Sequence, residues 1–211
     1  MRTAKFGARR NEIIDIAAGL FARNGYAATG VSEISAAAKV RKGGLYYYIG
    51  SKDVLLTEIH ERVLEPLLAD SRRISALDTS PLVRLRLFSE ALFEAIVDRN
   101  DHVRVVLHEH AALKGELLDR FRTRRRELED VVTDLLREGV TLGTFAIDDL
   151  RLATLAFFGL HNSSYQWLRA DGRYGPQEIS RRYCAMYFDG VAVRGPSVDD
   201  VESDVAAFRS S

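Results

Sequence analysis

One stretch of the sequence, VRKGGLYYYIGSKD at residues 40–53, combines cations, adjacent glycines and three consecutive tyrosines. A core helix would not carry Gly43 and Gly44 side by side, because each glycine costs up to ~1 kcal/mol of helix stability relative to alanine. Without side chains, however, a backbone can approach phosphates or base edges closely, and a helix N-terminus presents its N–H groups to anions. Tyrosine hydroxyls and cations can donate to phosphate oxygens. The stretch therefore indicates a surface that meets the backbone of a DNA duplex.

The neighbouring residues predict the helices that would hold this surface. Apolar spacing predicts short helices at about 31–38 and 42–49, after a longer helix at about 9–23. Two closely spaced short helices that pack on a third form a helix-turn-helix, in which the N-terminal residues of the second helix enter the major groove. Lys52, at the start of the next helix, could reach another phosphate. The residues predicted to contact DNA on these grounds are Arg41, Lys42, Gly43, Gly44, Tyr46, Tyr47 and Lys52.

The charge of the chain is distributed unevenly. Residues 1–55 carry nine Lys/Arg and four Asp/Glu, a formal charge of +5, and because the whole chain is neutral the remainder carries −5. A positive head on a negative body fits a polyanionic partner, although chance variation of surface charge would give the same sums. Tyr46 or Tyr48 could instead be a core residue. The basic residues Arg2, Lys5, Arg9 and Arg10 could form an arm that reaches a minor groove, or a disordered, solubilising tail.

The rest of the chain shows helical periodicity and no alternation typical of a β-strand. Ser51 is a predicted N-cap of a fourth helix, and later helices are predicted at about 81–99, 102–113, 116–141, 148–170 and 176–193. We therefore predict an all-α protein of about nine helices. Its predicted parts are an N-terminal helix-turn-helix domain at 1–53, a larger helical domain at 54–194 and a flexible, polar tail at 195–211.

The segment at residues 13–56, IIDIAAGLFARNGYAATGVSEISAAAKVRKGGLYYYIGSKDVLL, resembles the DNA-binding domain of the TetR/AcrR family of transcriptional regulators. The resemblance adds Thr29 to the predicted DNA-binding residues. Arg41 and Gly44 alter the surface that would face the bases, so the resemblance implies no operator sequence; we predict that Arg41 contacts a base such as guanine. The segment departs from the family pattern at Gly30, Lys39, Arg41, Gly44 and Ile49, where a Thr or Ser cap, a turn glycine, Ser, Thr and Phe are common.

The predicted helix at about 148–170 is apolar on more than one face, so it should be buried nearly all round. One side can meet the core of its own chain and the other a second copy, with the helix at 176–193 supplying the partner face. In the TetR/AcrR resemblance, the last two long helices form a four-helix dimer seam. A symmetric dimer would place two recognition helices about one DNA turn apart and would require a palindromic operator.

Residues 150–180 resemble the C-terminal halves of family members that respond to acyl-CoA or other hydrophobic carboxylic compounds. The resemblance implies a small hydrophobic effector, in a pocket lined by apolar residues of the fifth to eighth helices and a few polar ones. For each candidate lining residue taken alone, the pattern favours a plain core residue. The arginines between 120 and 126 could meet the phosphates of CoA or form a solvated face paired with acidic residues. The candidate pocket residues are Phe88, Leu92, Phe93, Val106, His108, Leu128, Phe157, His161 and Asn162.

The sequence lacks the motifs that would indicate a metal site, an enzyme, a membrane span or a signal peptide. His108 and His110 would point some 200° apart on a helix, and the sequence has no HExxH or CxxC motif, so we expect no metal site, no other cofactor and no enzyme. No apolar run approaches the ~20 residues that cross a bilayer, and the N-terminus has no signal-peptide pattern. Cys184 is the single cysteine, expected to be a packing residue rather than a redox group, which fits a reducing cytoplasm.

The sequence thus predicts a cytoplasmic, DNA-binding transcriptional regulator, a repressor that acts as a homodimer on a palindromic operator and is released from it by a ligand. A transcriptional activator on the same fold, or a helical small-molecule-binding protein whose basic head is incidental, remains the alternative.

Overall fold

The computed structural model describes residues 2–189, and over this range the chain folds into nine α-helices without a β-strand. The prediction of an all-α fold with about nine helices is confirmed. The predicted tail at 195–211 lies outside the described residues. In chain order the helices are α1 (Arg2–Asn24), α2 (Val31–Ala37), α3 (Lys42–Ile49), α4 (Lys52–Ser75), α5 (Pro81–Asp98), α6 (Asn100–His108), α7 (Gly115–Thr141), α8 (Leu150–Asn162) and α9 (Pro176–Asp189), with short 3-10 helices at His110–Ala112 and Ser164–Gln166.

Helices α1, α2 and α3 pack around a small apolar core. Ile13 and Ile14 of α1, Ile34 of α2 and Leu45 of α3 are all fully buried. Each buried side chain of this size stabilises the fold by roughly 1.5–3 kcal/mol relative to an exposed one. The apolar positions whose spacing predicted these helices therefore hold α2 and α3 together as a helix-turn-helix.

Two departures from the family pattern lie at the ends of α2. Gly30 is the N-cap residue and provides no side-chain hydrogen bond to the helix. Lys39, in the turn that follows, has a φ of 52°, a left-handed conformation that costs a residue with a β-carbon about 1–2 kcal/mol. The turn thus has the backbone geometry that favours glycine, but lysine occupies the position. Both Gly30 and Lys39 should therefore lower the local stability of the helix-turn-helix.

Helix α1 begins at Arg2, several residues earlier than the apolar spacing predicted. Its first turns pack against the head: the ring of Phe6 stacks on that of Tyr48 with centroids 4.9 Å apart, and Arg10 Nε donates to the Tyr48 carbonyl oxygen at 3.1 Å. Arg9 donates to the carbonyl oxygen of Ala38. The alternative of a disordered tail is therefore wrong for the described part of this segment.

Helix α4 runs from the head into the body. The Oγ of Ser51 accepts from the Val54 N–H at 3.1 Å, which confirms the predicted N-cap. Arg62 pairs with Asp15 of α1 at 2.7 Å. His102 of α6 is buried and its Nε2 lies 3.3 Å from the same carboxylate. Helices α4 and α6 thus both contact α1, and the predicted domain boundary after residue 53 stays a prediction.

The body packs α4–α9 around an aromatic core in which the side chains of Phe88, Phe93 and Phe157 are fully buried. Helix α8 ends at Asn162, so the prediction that it continues to about 170 is wrong. Serine and asparagine side chains can end a helix because they compete for its backbone hydrogen bonds. Here Ser164 Oγ donates to the Leu160 carbonyl oxygen at 3.4 Å, and a 3-10 turn follows α8.

The end of α7 depends on a glycine that lies under an aromatic ring. The Gly139 carbonyl oxygen accepts from the N–H groups of Thr144 and Phe145, and a β-carbon at Gly139 would overlap the Phe145 ring. We expect Gly139→Ala to lower the free energy of unfolding by about 1–3 kcal/mol by overpacking, although alanine is the better helix former. Chemical denaturation measures the change. In a Phe145→Ala background the same substitution should be neutral or stabilising, and a loss that persists there would contradict this explanation.

Candidate nucleic-acid interface and ligand cavity

The N-terminal half of α3 is exposed although the helix itself is firmly packed. Leu45 and Ile49 are buried against the head, whereas Lys42 and Gly43 are exposed and Gly44 is half-exposed. A β-carbon at either glycine would meet no atom within 4 Å. The packing of the chain therefore does not require glycine there. Arg41, the N-cap residue, is exposed beside them.

The three tyrosines of α3 have different environments. Tyr47 is 72% exposed and Tyr46 is 41% exposed, so both can present hydroxyl groups to a partner. Tyr48 is half-buried and packs against the core, which makes it, rather than Tyr46, the core tyrosine. The Tyr47 ring meets the rings of Phe6 and Tyr48 edge-on, with centroids 5.3 and 5.4 Å apart. An exposed phenol is thus held in a fixed orientation by neighbouring aromatic rings.

Two predicted DNA-binding residues are engaged within the protein. Thr29 is fully buried, and its hydroxyl donates to the Gly25 carbonyl oxygen at 2.8 Å. Lys52 Nζ donates to the Tyr26 carbonyl oxygen at 2.6 Å and lies 4.1 Å from the centre of the Tyr26 ring. Burial and the hydrogen bond to Asp53 raise the pKa of the Tyr26 hydroxyl, which donates to the carboxylate at 2.5 Å. The side chains of Thr29 and Lys52 therefore position the helices that carry the exposed surface.

A cavity of about 320 Å³ lies between α4, α5, α6, α7 and α8. Five of the nine candidate pocket residues line it: Leu92, Val106, Leu128, His161 and Asn162. The others do not: Phe88, Phe93 and Phe157 are fully buried core residues, and His108 lies in a separate polar crevice with its Nε2 2.6 Å from the Tyr165 hydroxyl.

Sequence reasoning missed the contributions of α4 and the start of α7 to this cavity. Val63, Leu64 and Leu67 of α4 line it, as does Phe121 of α7. Their spacing on one face of each helix was visible in the sequence, but it did not distinguish a cavity wall from an ordinary core. Helix α4 therefore contacts both the cavity and the DNA-binding head.

His161, on the cavity wall, has both ring nitrogens engaged. Its Nδ1 donates to the Phe157 carbonyl oxygen at 2.7 Å, so its Nε2 accepts from Ser89 Oγ, also at 2.7 Å. Ser180 of α9 lies next in this chain, with its Oγ 2.8 Å from that of Ser89. Burial lowers the pKa of His161 to about 4, so the ring is neutral near pH 7. The side chain thus offers the cavity a ring surface rather than a free polar atom.

Two buried histidines should make the fold sensitive to acid. Burial lowers the pKa of His60 and of His161 to about 4, below the ordinary value of 6.5. The unfolded chain therefore binds protons first as pH falls, and stability is lost from about pH 6.5 towards pH 4. Between pH 7 and pH 5 each histidine should remove ~2 kcal/mol of unfolding free energy. Denaturation at the two pH values measures the loss, and His60→Leu should reduce it by ~2 kcal/mol; an unchanged pH dependence would contradict the assignment.

The arginine-rich face of α7 is largely paired with acidic residues. Arg124 contacts Glu61 and Glu65 of α4, and Arg120 also pairs with Glu61 at 3.2 Å. Arg125 pairs with Glu129 at 2.9 Å. These contacts favour the solvated, paired face over a cluster of free cations for CoA phosphates. Exposed pairs of this kind contribute little to stability, with a median of ~0–1 kcal/mol.

Across residues 2–189 no group of three or more His, Cys, Asp or Glu side chains is arranged to hold a metal ion. Cys184 is buried, and burial raises the pKa of its thiol, as befits a packing residue. Within the same range no helix combines the length and the apolar character needed to span a bilayer.

Two known protein families match the part of the chain that carries the exposed α3 surface and the part that forms most of the cavity. Residues 13–59 match the family described as bacterial regulatory proteins, tetR family, and residues 78–191 match the family described as tetracyclin repressor-like, C-terminal domain. The chain belongs to the TetR family. Members of this family are transcriptional regulators rather than enzymes, so the predictions of a DNA-binding regulator and of no enzymatic activity are confirmed.

Individual TetR-family relatives align over most of their length. The HTH-type transcriptional repressor KstR2 of Mycolicibacterium smegmatis is 31% identical over 187 residues, which cover 87% of this chain and 90% of the relative. The solved structure of the ketosteroid transcriptional regulator KstR2 of Mycobacterium tuberculosis superposes with a TM-score of 0.81 at 29% identity, covering 86% of this chain and 94% of that one. AibR, in complex with isovaleryl coenzyme A and operator DNA, gives a TM-score of 0.75 at 27% identity, covering 85% and 98%.

Proposed function

We propose that this TetR-family protein is a cytoplasmic repressor that binds a palindromic operator as a homodimer and leaves it when a small hydrophobic effector binds. The exposed N-terminal half of α3, with two glycines that the fold itself does not need, carries the proposal. Relatives named as repressors support the sign of regulation. An activator is the second candidate, because the HTH-type transcriptional activator FasR of Mycolicibacterium smegmatis is 27% identical over 128 residues.

An exposed apolar surface on α8 and α9 supports the homodimer. Leu152 and Leu155 of α8 are 64% and 46% exposed, and Met186 of α9 is 45% exposed. Ala156 and Gly159 are also exposed and follow Leu152 at helical spacing, so one face of α8 is apolar and uncovered. Contiguous apolar surface on a water-soluble protein marks an interaction site. A second copy of the same face would cover it, as in an isologous interface.

The cavity and the AibR complex support a small hydrophobic effector, for which an acyl-CoA is one candidate. The lining is mainly apolar, with polar groups at His110, Arg125, Glu129 and Asn162 to orient a ligand. An acyl group would occupy the cavity, while the paired arginines of α7 give no preformed site for the CoA phosphates. AibR is bound to isovaleryl coenzyme A in its solved structure.

Helix α4 offers a route from effector to DNA. It lines the cavity through Val63, Leu64 and Leu67, and its first turn holds the head through Lys52. In the proposed mechanism, the effector favours a dimer whose heads are too far apart or too rotated for adjacent grooves. The effector can shift this equilibrium only by as much as its affinities for the two states differ.

Selection of duplexes from a random pool by the purified protein tests the proposed DNA binding. We expect a palindromic consensus, and a binding constant that falls with salt with a log–log slope of about −0.9 per phosphate contact. Titration of the selected complex with acyl-CoAs of different chain length tests release. Failure to enrich any palindrome at any salt concentration would overturn the proposal.

Arg41 separates base recognition from phosphate binding. If its guanidinium contacts a base, Arg41→Ala should reduce discrimination at one operator position by ~1–3 kcal/mol, while binding to unrelated duplexes changes little. Lys42→Ala serves as the comparison, because a phosphate contact should weaken binding to all sequences alike. Affinities for the selected operator and its single-base variants provide the measurement. Equal losses on all sequences for Arg41→Ala would show that Arg41 contacts phosphate only.

A further inference from the structure

The exposed tyrosine of α3 is supported by an aromatic ring from another helix. Tyr47 is 72% exposed, and its ring meets that of Phe6, in the first turns of α1, with centroids 5.3 Å apart and planes at 82°. The Phe6 ring also stacks on that of Tyr48, with centroids 4.9 Å apart. Since Tyr47 and Tyr48 meet edge-on at 5.4 Å, the three rings form a closed cluster. Phe6 is the member of this cluster that comes from outside α3, and it contacts both of the others.

Polar contacts fix the part of α1 that carries Phe6. Arg10 lies one turn further along the helix, and its Nε donates to the Tyr48 carbonyl oxygen at 3.1 Å. Through Nη2 the same guanidinium pairs with Glu58 of α4 at 2.9 Å. The first turns of α1 are therefore held against both α3 and α4, and the Phe6 ring is a fixed support for Tyr47.

A tyrosine without such a support would have to be ordered when DNA binds. Two side-chain torsions set the direction of its hydroxyl group, and an exposed side chain populates several rotamers. Fixing one such side chain in a complex reduces the binding constant by a factor of about 2 to 10. The edge-on contact with Phe6 has the geometry that aromatic pairs prefer, and it restricts both torsions of Tyr47 in the free protein. Phe6 therefore removes much of this cost before DNA binds.

We propose that Phe6 is a positioning residue for operator binding, because its ring directs the Tyr47 hydroxyl group towards a DNA phosphate. The inference rests on the DNA-binding surface of the proposed function and adds to it a residue from the start of α1. The phenyl ring of Phe6 carries no hydrogen-bond donor, so it acts on DNA only through Tyr47. Phosphate contacts position a protein without reading sequence, so replacing Phe6 should weaken binding to all operator variants alike.

A double-mutant cycle tests whether Phe6 acts through the Tyr47 hydroxyl group. Phe6→Leu removes the aromatic support, whereas Tyr47→Phe removes the hydroxyl group and keeps the ring contact. Each substitution alone should weaken binding of the full-length protein to the selected operator by about 10-fold, since both half-sites are affected. In the Tyr47→Phe protein, Phe6→Leu should cause less than about a twofold further loss, because the hydroxyl group that it orients is already absent. Titration of a labelled duplex measures the four affinities.

Ile16→Ala is the matched control for general damage to the head. Ile16 packs against the core about three helical turns further along α1 than Phe6. Any loss of affinity that it causes should be the same with tyrosine or phenylalanine at position 47. An equal loss from Phe6→Leu in both backgrounds would show that Phe6 has a purely structural role. Full affinity of the Tyr47→Phe protein would show that the hydroxyl group contacts no phosphate, and either result would overturn the inference.

The duplex selection keeps this test separate from that of the proposed function. If no palindrome is enriched, the proposed function fails, and the same cycle is then measured on a duplex of random sequence at low salt, because phosphate contacts do not depend on sequence. The cycle alone decides the role of Phe6, so the two failures are distinguishable. A protein that bound no duplex at all would overturn both.

Discussion

Replacing Gly43 and Gly44 together by alanine is expected to stabilise the folded protein while weakening its binding to the selected operator by about 100-fold. The stabilisation follows from helix propensity: each replacement should contribute roughly 0.5–1 kcal/mol, and a β-carbon at either position meets no neighbouring atom. The loss of affinity follows from the role proposed for the glycines. Two methyl groups would stand between the helix backbone and the DNA and prevent the close approach.

Two measurements on the same variant separate this explanation from general damage to the protein. Denaturation should show an increased free energy of unfolding, while titration of the operator shows a weaker complex. Ala69→Gly is a control for the stability change, because Ala69 is exposed on α4 in the body and the replacement should lower stability by a similar amount. Its operator affinity should be unchanged. Full operator affinity in the double alanine variant would show that the glycines do not face DNA.

The helix-turn-helix was the part of the fold that sequence reasoning located best. The predicted range of α3 agrees with Lys42–Ile49, because its apolar positions and its flanking glycine fix a short helix. Three helix ends were misplaced, among them that of α6, which ends at His108 rather than at about 113, and the causes differ. The start of α1 is stabilised by contacts of Phe6 and Arg10 with α3, and tertiary contacts of this kind leave no periodic pattern in the sequence. The end of α8 was placed too late because an apolar run continued across a serine-rich turn.

In the candidate sites, too, features set by one helix could be predicted from the sequence, whereas features set by contacts between helices could not. Exposure of Tyr47 and burial of Leu45 follow from their positions on one short helix, so a pattern can indicate them. The roles of Thr29 and Lys52 as internal anchors depend on partners in other helices, and residue type alone did not distinguish an anchor from a phosphate contact. The cavity was hardest to predict, because a lining phenylalanine and a core phenylalanine are the same residue at the same helical spacing.

Leu152→Glu is expected to convert the proposed dimer into a monomer and to weaken operator binding by ~10²–10⁴-fold, the factor that linking two binding modules commonly provides. Leu152 is 64% exposed on α8 and does not line the cavity, so the replacement should not disturb the fold or the effector site. In an isologous interface each copy would bring its own new carboxylate to the apolar surface of the other. Burial of these unpaired charges opposes association.

The same substitution at Leu142 is the matched control. Leu142 is 63% exposed, but it lies at the end of α7 rather than on α8 or α9. Analytical ultracentrifugation should show a monomer for Leu152→Glu and a dimer for both Leu142→Glu and the wild-type protein, while unfolding curves remain similar for all three. A dimer that persists in Leu152→Glu would move the interface away from this face of α8. A monomeric protein that still bound the palindrome with full affinity would show that the two half-sites are recognised independently. In that case the effector could not act by changing the separation of the two heads of a dimer.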